Sequence, residues 1–167
     1  MPRASMVFDL PDRGVTEALG RALARALPKA VGAAAPEAGA VLYLSGELGA
    51  GKTTCVRSLL RALGVAGLVR SPTYTLVETY PLTGLTCVHV DLYRLQSLDE
   101  VDELGLRDWA GAGCLMLVEW PERGGAALPA ADLELLLNYA GDARQARAQA
   151  KSPLGADWLG NLDTTLA

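Results

Sequence analysis

The hydrophobic pattern of the first part of the chain predicts strands and helices in alternation. Residues 40–45, AVLYLS, are apolar on both faces, which is typical of a parallel strand buried in a sheet. In two other segments apolar residues recur every three or four positions, the spacing that lines one face of a helix. Arg57 and Arg61 fall on the polar side of the second helix. The predicted strands are 6–10 and 40–45, and the predicted helices are 15–27 and 52–63.

Strand-like runs dominate the second part of the chain. The runs at 71–80 and 85–94 flank Pro81–Gly84, and this spacing predicts an antiparallel hairpin. Because buried parallel strands occur with a hairpin, we expect a mixed sheet. Ser97 and Glu100 fit a capping box at the start of a short helix. Further strands are predicted at 114–120 and 132–139, with a short helix around Trp158.

Residues 143–150, ARQARAQA, allow two interpretations. Their composition favours a helix, because alanine, arginine and glutamine are good helix formers. Their position directly after Gly141 and Asp142 favours the second strand of a hairpin. The pattern alone leaves both open.

Composition and charge narrow the class of protein. The 167 residues are half hydrophobic and a fifth charged, which fits one globular domain over 1–167. The net charge of −4 does not resemble that of a protein that grips nucleic acid through its overall field, although a local patch or a partner could bring it to RNA. We see no signal peptide and no apolar run of membrane-spanning length, so we expect a cytoplasmic protein with no membrane partner.

The three cysteines do not indicate a disulfide framework or a zinc site. Cys55, Cys87 and Cys114 are odd in number, lack CxxC spacing and lie in apolar surroundings. His89 is the only histidine, which further weakens a zinc interpretation. We expect reduced, buried thiols.

The stretch GELGAGKT, Gly46–Thr53, has the GxxxxGK[ST] spacing and lies between a predicted strand and a predicted helix. Glycines there let successive backbone N–H groups point at phosphate oxygens, and the helix start adds the positive end of its dipole. Lys52 is predicted to reach the β- and γ-phosphates, Thr53 to coordinate Mg²⁺, and Thr54 to hydrogen-bond the α-phosphate. The pattern therefore indicates a nucleotide site rather than a flexible turn.

A second metal-binding carboxylate has two candidates. Asp91 follows the apolar run CVHV and Glu119 follows LMLV, so each acid ends a predicted strand. The strand pattern does not separate them. Alternation places His89 on the same strand face as Asp91, where it is either a packed histidine or a site residue.

Four motifs together resemble the bacterial TsaE (YjeE) family. They are GELGAGKTT at 46–54, SPTYTLVETY at 71–80, HVDLYR at 89–94 and VEWPE at 118–122. Members of that family are small P-loop ATPases needed for the N6-threonylcarbamoyl modification of adenosine 37 in tRNA. The similarity covers the chain from about Asp9 to Arg147. It implies an α/β, three-layer P-loop NTPase-like fold with a mixed parallel and antiparallel central sheet.

The resemblance also implies roles for the two acids. Glu119 matches the position that binds Mg²⁺ together with Thr53, and Asp91 matches an acid implicated in hydrolysis, through the water or the metal's shell. With Lys52 these acids make up the implied catalytic set. The segment 71–80 resembles a switch loop that leads into a strand, and its Thr73 is either a sensor of the γ-phosphate or a hydroxyl in a turn.

Other positions are implied to contact the nucleotide. Trp120 matches a family tryptophan that lies beside the nucleotide, and Thr16 matches a family threonine near the adenine. The segment GDARQAR departs from the family's GR-x-AR, so Arg144 and Arg147 compete for one arginine position. The implied nucleotide-binding residues are Thr16, Glu47, Leu48, Gly49, Ala50, Gly51, Lys52, Thr53, Thr54, Trp120 and Arg144.

The function that the resemblance implies is a Mg²⁺-dependent ATPase that uses ATP, releases ADP and acts through partners. Those partners are the TsaD and TsaB subunits of the threonylcarbamoyl transferase complex, and tRNA is reached indirectly, through the complex. Hydrolysis by the isolated protein is expected to be slow. Two alternatives stay open: a small-molecule P-loop kinase, although no arginine-rich lid is visible, and a nucleotide-gated binding module.

Overall fold

The computed structural model describes residues 4–32, 38–70, 72, 74–162 and 166. The strands are β1 (Ser5–Leu10), β2 (Ala40–Gly46), β3 (Val77–Leu82), β4 (Leu85–Asp91), β5 (Cys114–Glu119), β6 (Leu133–Ala140) and β7 (Ala143–Ala150). The α-helices are α1 (Arg13–Ala26), α2 (Lys29–Gly32), α3 (Lys52–Ala62), α4 (Leu98–Glu103) and α5 (Pro153–Asn161). Short 3₁₀ helices occupy Leu106–Trp109, Pro121–Arg123 and Gly125–Ala127.

The strands described form one sheet in the order β1-β7-β6-β2-β5-β4-β3. Its centre is parallel, because β2 pairs in parallel with both β5 and β6, and β4 pairs in parallel with β5. Its two ends are antiparallel, through the pairs β3–β4, β6–β7 and β1–β7. The predicted mixed sheet is confirmed.

Two hydrophobic clusters, one on each face of the sheet, give the molecule three layers. On one face α1, α3 and α5 bury their apolar stripes, and Trp158 is fully buried there with its Nε1 donating to Leu23 O at 3.0 Å. On the other face Val101 of α4 and residues of the 3₁₀ segments cover alternate residues of β4 and β5, such as Val90 and Val118. The three-layer prediction is confirmed.

The start of the first hairpin strand was predicted too early. Residues 74–76 form a turn in which Leu76 N donates to Pro72 O at 2.7 Å, and Leu76 has a positive φ of 66°. The strand therefore begins at Val77. It continues through Pro81, which is tolerated because β3 is an edge strand, so the hairpin turn shrinks to Thr83 and Gly84. Its partner β4 ends at Asp91, before the predicted residue 94.

Residues 143–150 form a strand, so the helical interpretation is wrong. β7 pairs with β6 across a turn at Gly141, whose φ is 63°, and with β1 on its other side. Ala146 and Ala148 are buried against the helices, while the intervening residues point away from them.

Two further expectations can be compared with the structure. All three cysteines are free and buried, and burial raises the pKa of Cys55 to about 12. Among the helices described, none has the length and apolar character needed to cross a membrane.

Candidate functional site

The glycine loop joins β2 to α3 at the carboxyl end of the parallel strands. Gly46 has a φ of 136°, and a Cβ placed on it would lie 2.0 Å from Leu137 O, so a larger residue would displace the neighbouring strand. Gly51 precedes α3 with a φ of 107° and gives the helix no side-chain cap. The first N–H groups of α3 are therefore open to a ligand, as at helix ends that bind anions.

Lys52 lies inside the mouth of the loop. Its Nζ donates to Gly46 O at 2.5 Å and to Glu47 O at 2.8 Å, and sits 4.2 Å from the centroid of the Trp120 ring. Only 4% of Lys52 is exposed. Burial lowers the pKa of this lysine, while nearby carboxylates, Glu119 foremost, oppose the shift. The result is a cation held at the loop by carbonyl oxygens that a phosphate could replace.

A buried chain of hydrogen bonds runs from Thr53 through Glu119 to His89. Thr53 Oγ1 donates to Glu119 Oε1 at 2.7 Å, and His89 Nε2 lies 2.6 Å from Glu119 Oε2. His89 is 0% exposed and Glu119 2%. His89 Nδ1 has no hydrogen-bond partner among the residues described. His89 is therefore in contact with the site and holds one oxygen of Glu119, while the other faces the glycine loop.

Asp91 ends β4 directly beside Glu119, its register partner at the end of β5. Its Oδ1 accepts a hydrogen bond from Tyr93 N at 3.0 Å. Burial raises the pKa of Asp91 above that of an ordinary aspartate, and the nearby charge of Glu119 raises it further. The two acids that the sequence pattern could not separate thus lie side by side in one site.

These groups line a pocket of about 290 Å³, which we call the carboxylate pocket. It is lined by Leu48, Gly49, Gly51, Lys52, Thr53, Thr54, Asp91, Tyr93, Glu119 and Trp120. Trp120 has a positive φ of 59°, an unusual conformation that turns the chain sharply after Glu119 and brings the indole over Lys52.

A second pocket of about 270 Å³ adjoins the first and shares Gly49, Gly51 and Thr54 with it. We call it the Thr16 pocket. Its lining residues are Leu10, Pro11, Asp12, Arg13, Thr16, Gly49, Ala50, Gly51, Thr54, Asp142, Ala143 and Arg144. The Thr16 pocket therefore lies against the glycine loop, beside the start of α1 and the β6–β7 turn.

The structure separates the two competing arginines. Arg144 lines the Thr16 pocket, donates from a terminal nitrogen to Gly49 O at 3.4 Å and stacks 3.9 Å from the centroid of Tyr139. Arg147 is exposed and lines neither pocket. Tyr139 in turn donates its hydroxyl to Leu48 O at 2.8 Å, so two side chains of the β6–β7 hairpin hold the glycine loop.

Apart from Glu47, every residue of the implied catalytic and nucleotide-binding sets lines one of the two pockets. His89, the other candidate from sequence, lines neither pocket and reaches the site through Glu119. Glu47 contributes its carbonyl oxygen to Lys52, while its side chain is exposed. Thr73 lies outside the described residues. Sequence reasoning missed the role of Tyr139, which looked like one more apolar position of a strand, and of Asp12, which both caps α1 through Val15 N and lines the Thr16 pocket.

A strand, a glycine loop and a helix with a buried lysine in its first turn, beside an acid from the neighbouring strand, define a P-loop protein. The comparisons with known proteins agree with this class. Residues 10–148 match the family described as threonylcarbamoyl adenosine biosynthesis protein TsaE. The chain belongs to the TsaE family.

Several relatives carry the name tRNA threonylcarbamoyladenosine biosynthesis protein TsaE. The one from Haemophilus influenzae is 44% identical over 115 residues, which cover 69% of this chain and 73% of the relative. The one from Synechocystis is 39% identical and the alignment covers 74% of each chain. The crystal structure of Bacillus subtilis YdiB superposes with a TM-score of 0.67 at 29% identity, covering 89% of this chain and 86% of YdiB.

Proposed function

We propose that this chain is a Mg²⁺-dependent ATPase of the machinery that makes threonylcarbamoyladenosine in tRNA. One observation carries the proposal: Thr53 and Glu119 bring two oxygens within 2.7 Å of each other at the uncapped start of α3, beside the buried Lys52. The names of the relatives from Haemophilus influenzae and Synechocystis support the role in threonylcarbamoyladenosine synthesis.

The nucleotide fits across the two pockets. Its phosphates would accept hydrogen bonds from the N–H groups of the loop and of the first turn of α3. Lys52 would exchange the carbonyl oxygens of Gly46 and Glu47 for the β- and γ-phosphates. The nucleoside would then occupy the Thr16 pocket, with Arg144 at its edge.

The residues present suit Mg²⁺. Hydroxyl and carboxylate oxygens are the hard ligands that it prefers, and it commonly takes one or two protein ligands with the rest from phosphate and water. Thr53 Oγ1 and Glu119 Oε1 are the proposed ligands. When bound, the ion would neutralise charge that develops on the phosphates.

Asp91 is proposed to orient the attacking water. Its carboxylate lies at the end of the strand beside Glu119 and lines the same pocket. Asp91 is also largely buried, so its carboxylate is positioned to accept a hydrogen bond from a water molecule in the pocket. An additional positive charge would come from Arg144 or from a partner's arginine, and such arginines raise rates by roughly 10³–10⁵.

The proposed partners are TsaD and TsaB, and the proposed task is to reset their complex between rounds of modification. We expect a single P-loop domain that works in the cytoplasm and hydrolyses ATP slowly by itself. The ATPase reaction would then be coupled to tRNA modification through the complex.

The test is reconstitution with TsaB, TsaD, the threonylcarbamoyl-adenylate donor and tRNA. Wild-type protein should support multiple turnovers, and Lys52→Ala should limit the reaction to about one. Lys151→Ala is the matched control, because Lys151 is an exposed lysine whose only ion pair in the described chain is a 3.6 Å contact with Glu134. Equal yields with Lys52→Ala would reject the proposal.

A further variant separates catalysis from nucleotide-gated binding. Asp91→Ala should still bind ATP, because it keeps the glycine loop, Lys52 and Thr53. It should fail to sustain turnover, because it lacks the carboxylate that is proposed to orient the attacking water. Full turnover by Asp91→Ala would mean that nucleotide binding alone is sufficient.

A further inference from the structure

A depression of about 330 Å³ between α1 and α3 is lined by four arginines, Arg13, Arg21, Arg57 and Arg61. We call it the arginine face. It includes a single acidic residue, Glu17, so its formal charge is +3 on a chain whose net charge is −4. A concentration of positive charge against the overall balance points to an anionic ligand.

Among the described residues, only one of the four arginines forms an ion pair with a carboxylate. Glu17 pairs with Arg13 at 3.1 Å. Arg57 is oriented by a bond from its Nε to Val69 O at 3.2 Å, which leaves its terminal nitrogens to other partners. In the part of the chain that the structure describes, no acidic side chain lies within ion-pair distance of Arg21, Arg57 or Arg61.

We propose that the arginine face binds the backbone phosphates of a helical RNA directly. Guanidinium groups are suited to this, because each offers a fork of donors to two phosphate oxygens. Arg57 and Arg61 are about one helical turn apart on α3, and Arg13 and Arg21 are about two turns apart on α1. The four arginines are therefore distributed over two helices, which suits several phosphates better than one small anion.

The other residues of the arginine face favour RNA over an acidic protein. A protein interface usually has an apolar or aromatic centre, whereas interfaces with nucleic acid are polar and positive. None of the exposed large hydrophobic residues of the described chain lines this face, where Ala62 is the only apolar residue. The absence of an aromatic among the lining residues also disfavours single-stranded RNA, whose bases stack on such side chains.

The arginine face continues into the candidate nucleotide site. Arg13 and Thr54 line both this face and the Thr16 pocket, and α3 carries the glycine loop at its start. RNA on this face would therefore lie beside the bound nucleotide. The identity of the RNA as tRNA rests on the proposed function, but phosphate binding by the arginines does not, so we test it without nucleotide.

The experiment titrates salt against binding to a fluorescently labelled RNA hairpin and to an unmodified tRNA transcript. Four phosphate contacts predict a loss of about 50- to 150-fold in affinity between about 50 and about 200 mM salt. Arg21→Gln/Arg61→Gln, which changes two exposed side chains, should reduce that loss to about 10-fold and weaken binding at low salt.

A matched control changes the same number of charges on the other side of the sheet. Arg147→Gln/Lys151→Gln removes two positive charges, and Arg147 points away from α1 and α3 because its neighbours Ala146 and Ala148 are buried against those helices. This variant should keep the salt dependence of the wild type. If it weakens binding as much as Arg21→Gln/Arg61→Gln, net charge and not the arginine face is responsible, and the proposal is overturned.

A variant that should bind more tightly guards against loss through misfolding. Glu17→Gln removes the one acid and frees Arg13, so RNA affinity at low salt should rise severalfold. An unchanged or weaker affinity would count against the proposal. Binding of polyglutamate by a protein that fails to bind the RNA hairpin would also count against it, since that result assigns the arginine face to an acidic protein.

Calorimetry with ATP and Mg²⁺ on the same samples separates the two proposals. Nucleotide binding without RNA binding would reject RNA binding by the arginine face and leave the proposed function intact. RNA binding without nucleotide binding would reject the proposed function and leave the proposal of RNA binding by the arginine face intact.

Discussion

Replacing His89 with leucine removes the donor that holds one oxygen of Glu119. The imidazole Nε2 lies 2.6 Å from Glu119 Oε2, and both side chains are buried. Leucine fills a similar volume, so a hydrogen bond is lost without a large cavity. The variant therefore tests the bond to the carboxylate more than the packing of the core.

Two opposing contributions set the size of the effect. A hydrogen bond to a charged group stabilises a protein by about 1.5–3 kcal/mol, and the buried carboxylate loses this. The change also removes His89 Nδ1, a buried nitrogen with no partner in the described structure, which returns about 1 kcal/mol. The expected net loss is about 0.5–2 kcal/mol, which lowers the Tm of a chain of this length by roughly 1–8 °C.

Thermal unfolding in EDTA measures this loss of stability, and calorimetry with ATP measures Mg²⁺-dependent binding. We expect His89→Leu to weaken that binding, because Glu119 then loses the contact that keeps its carboxylate aligned with Thr53. In the matched control His89→Gln, the amide can donate to Glu119 and should restore part of both properties. An unchanged Tm together with unchanged Mg²⁺-dependent binding in His89→Leu would refute the reasoning.

Three further changes have definite expectations. Asp91→Asn should lose most ATP hydrolysis but raise the Tm of the free protein at neutral pH, because it removes a charge that burial disfavours. Since the pKa of Asp91 is raised in the folded protein, the increase in Tm should shrink as the pH falls through this raised pKa and vanish below the ordinary pKa of an aspartate. An increase in Tm that persists in acid would contradict this explanation. Gly46→Ala should abolish calorimetric ATP binding, because its Cβ meets Leu137 O, and near-normal binding would exclude this geometry. Trp158→Ala should cost about 3–5 kcal/mol in urea unfolding with ATP affinity retained, and a cost below about 1 kcal/mol would contradict its place in the core.

The sequence was most informative where structure is local. The strand, glycine loop and helix around Lys52 were predicted because their signals lie within a few residues of each other. The strand at 71–80 was placed too early, because its threonines and valine favour a strand while the contact from Leu76 N to Pro72 O makes a turn. Pro81 was assigned to the turn for a similar reason: its tolerance in β3 depends on an edge position that only the full sheet reveals.

The candidate site was predictable in its residues but not in its contacts. The sequence shows that Asp91 and Glu119 end strands, but their adjacency depends on the parallel pairing of β4 with β5. The bond from His89 to Glu119 depends on the same pairing, so alternation along one strand could not distinguish a packed histidine from a site residue. Arg144 is separated from Arg147 only because residues 143–150 form a strand that pairs with β6.

The buried polar residues set the charge that the phosphates of a bound nucleotide would meet at this site. In the described structure the buried polar or charged residues are Thr16, Lys52, His89, Asp91 and Glu119, and each lines or contacts one of the two pockets. Lys52 contributes one positive charge against the two carboxylates when both are ionised, so free phosphates approaching Glu119 would meet a negative surface. The glycine loop and Lys52 offset part of that repulsion. We infer that a cation held by Thr53 and Glu119 reverses the local field, so that the site favours a metal-bound nucleotide over phosphate alone.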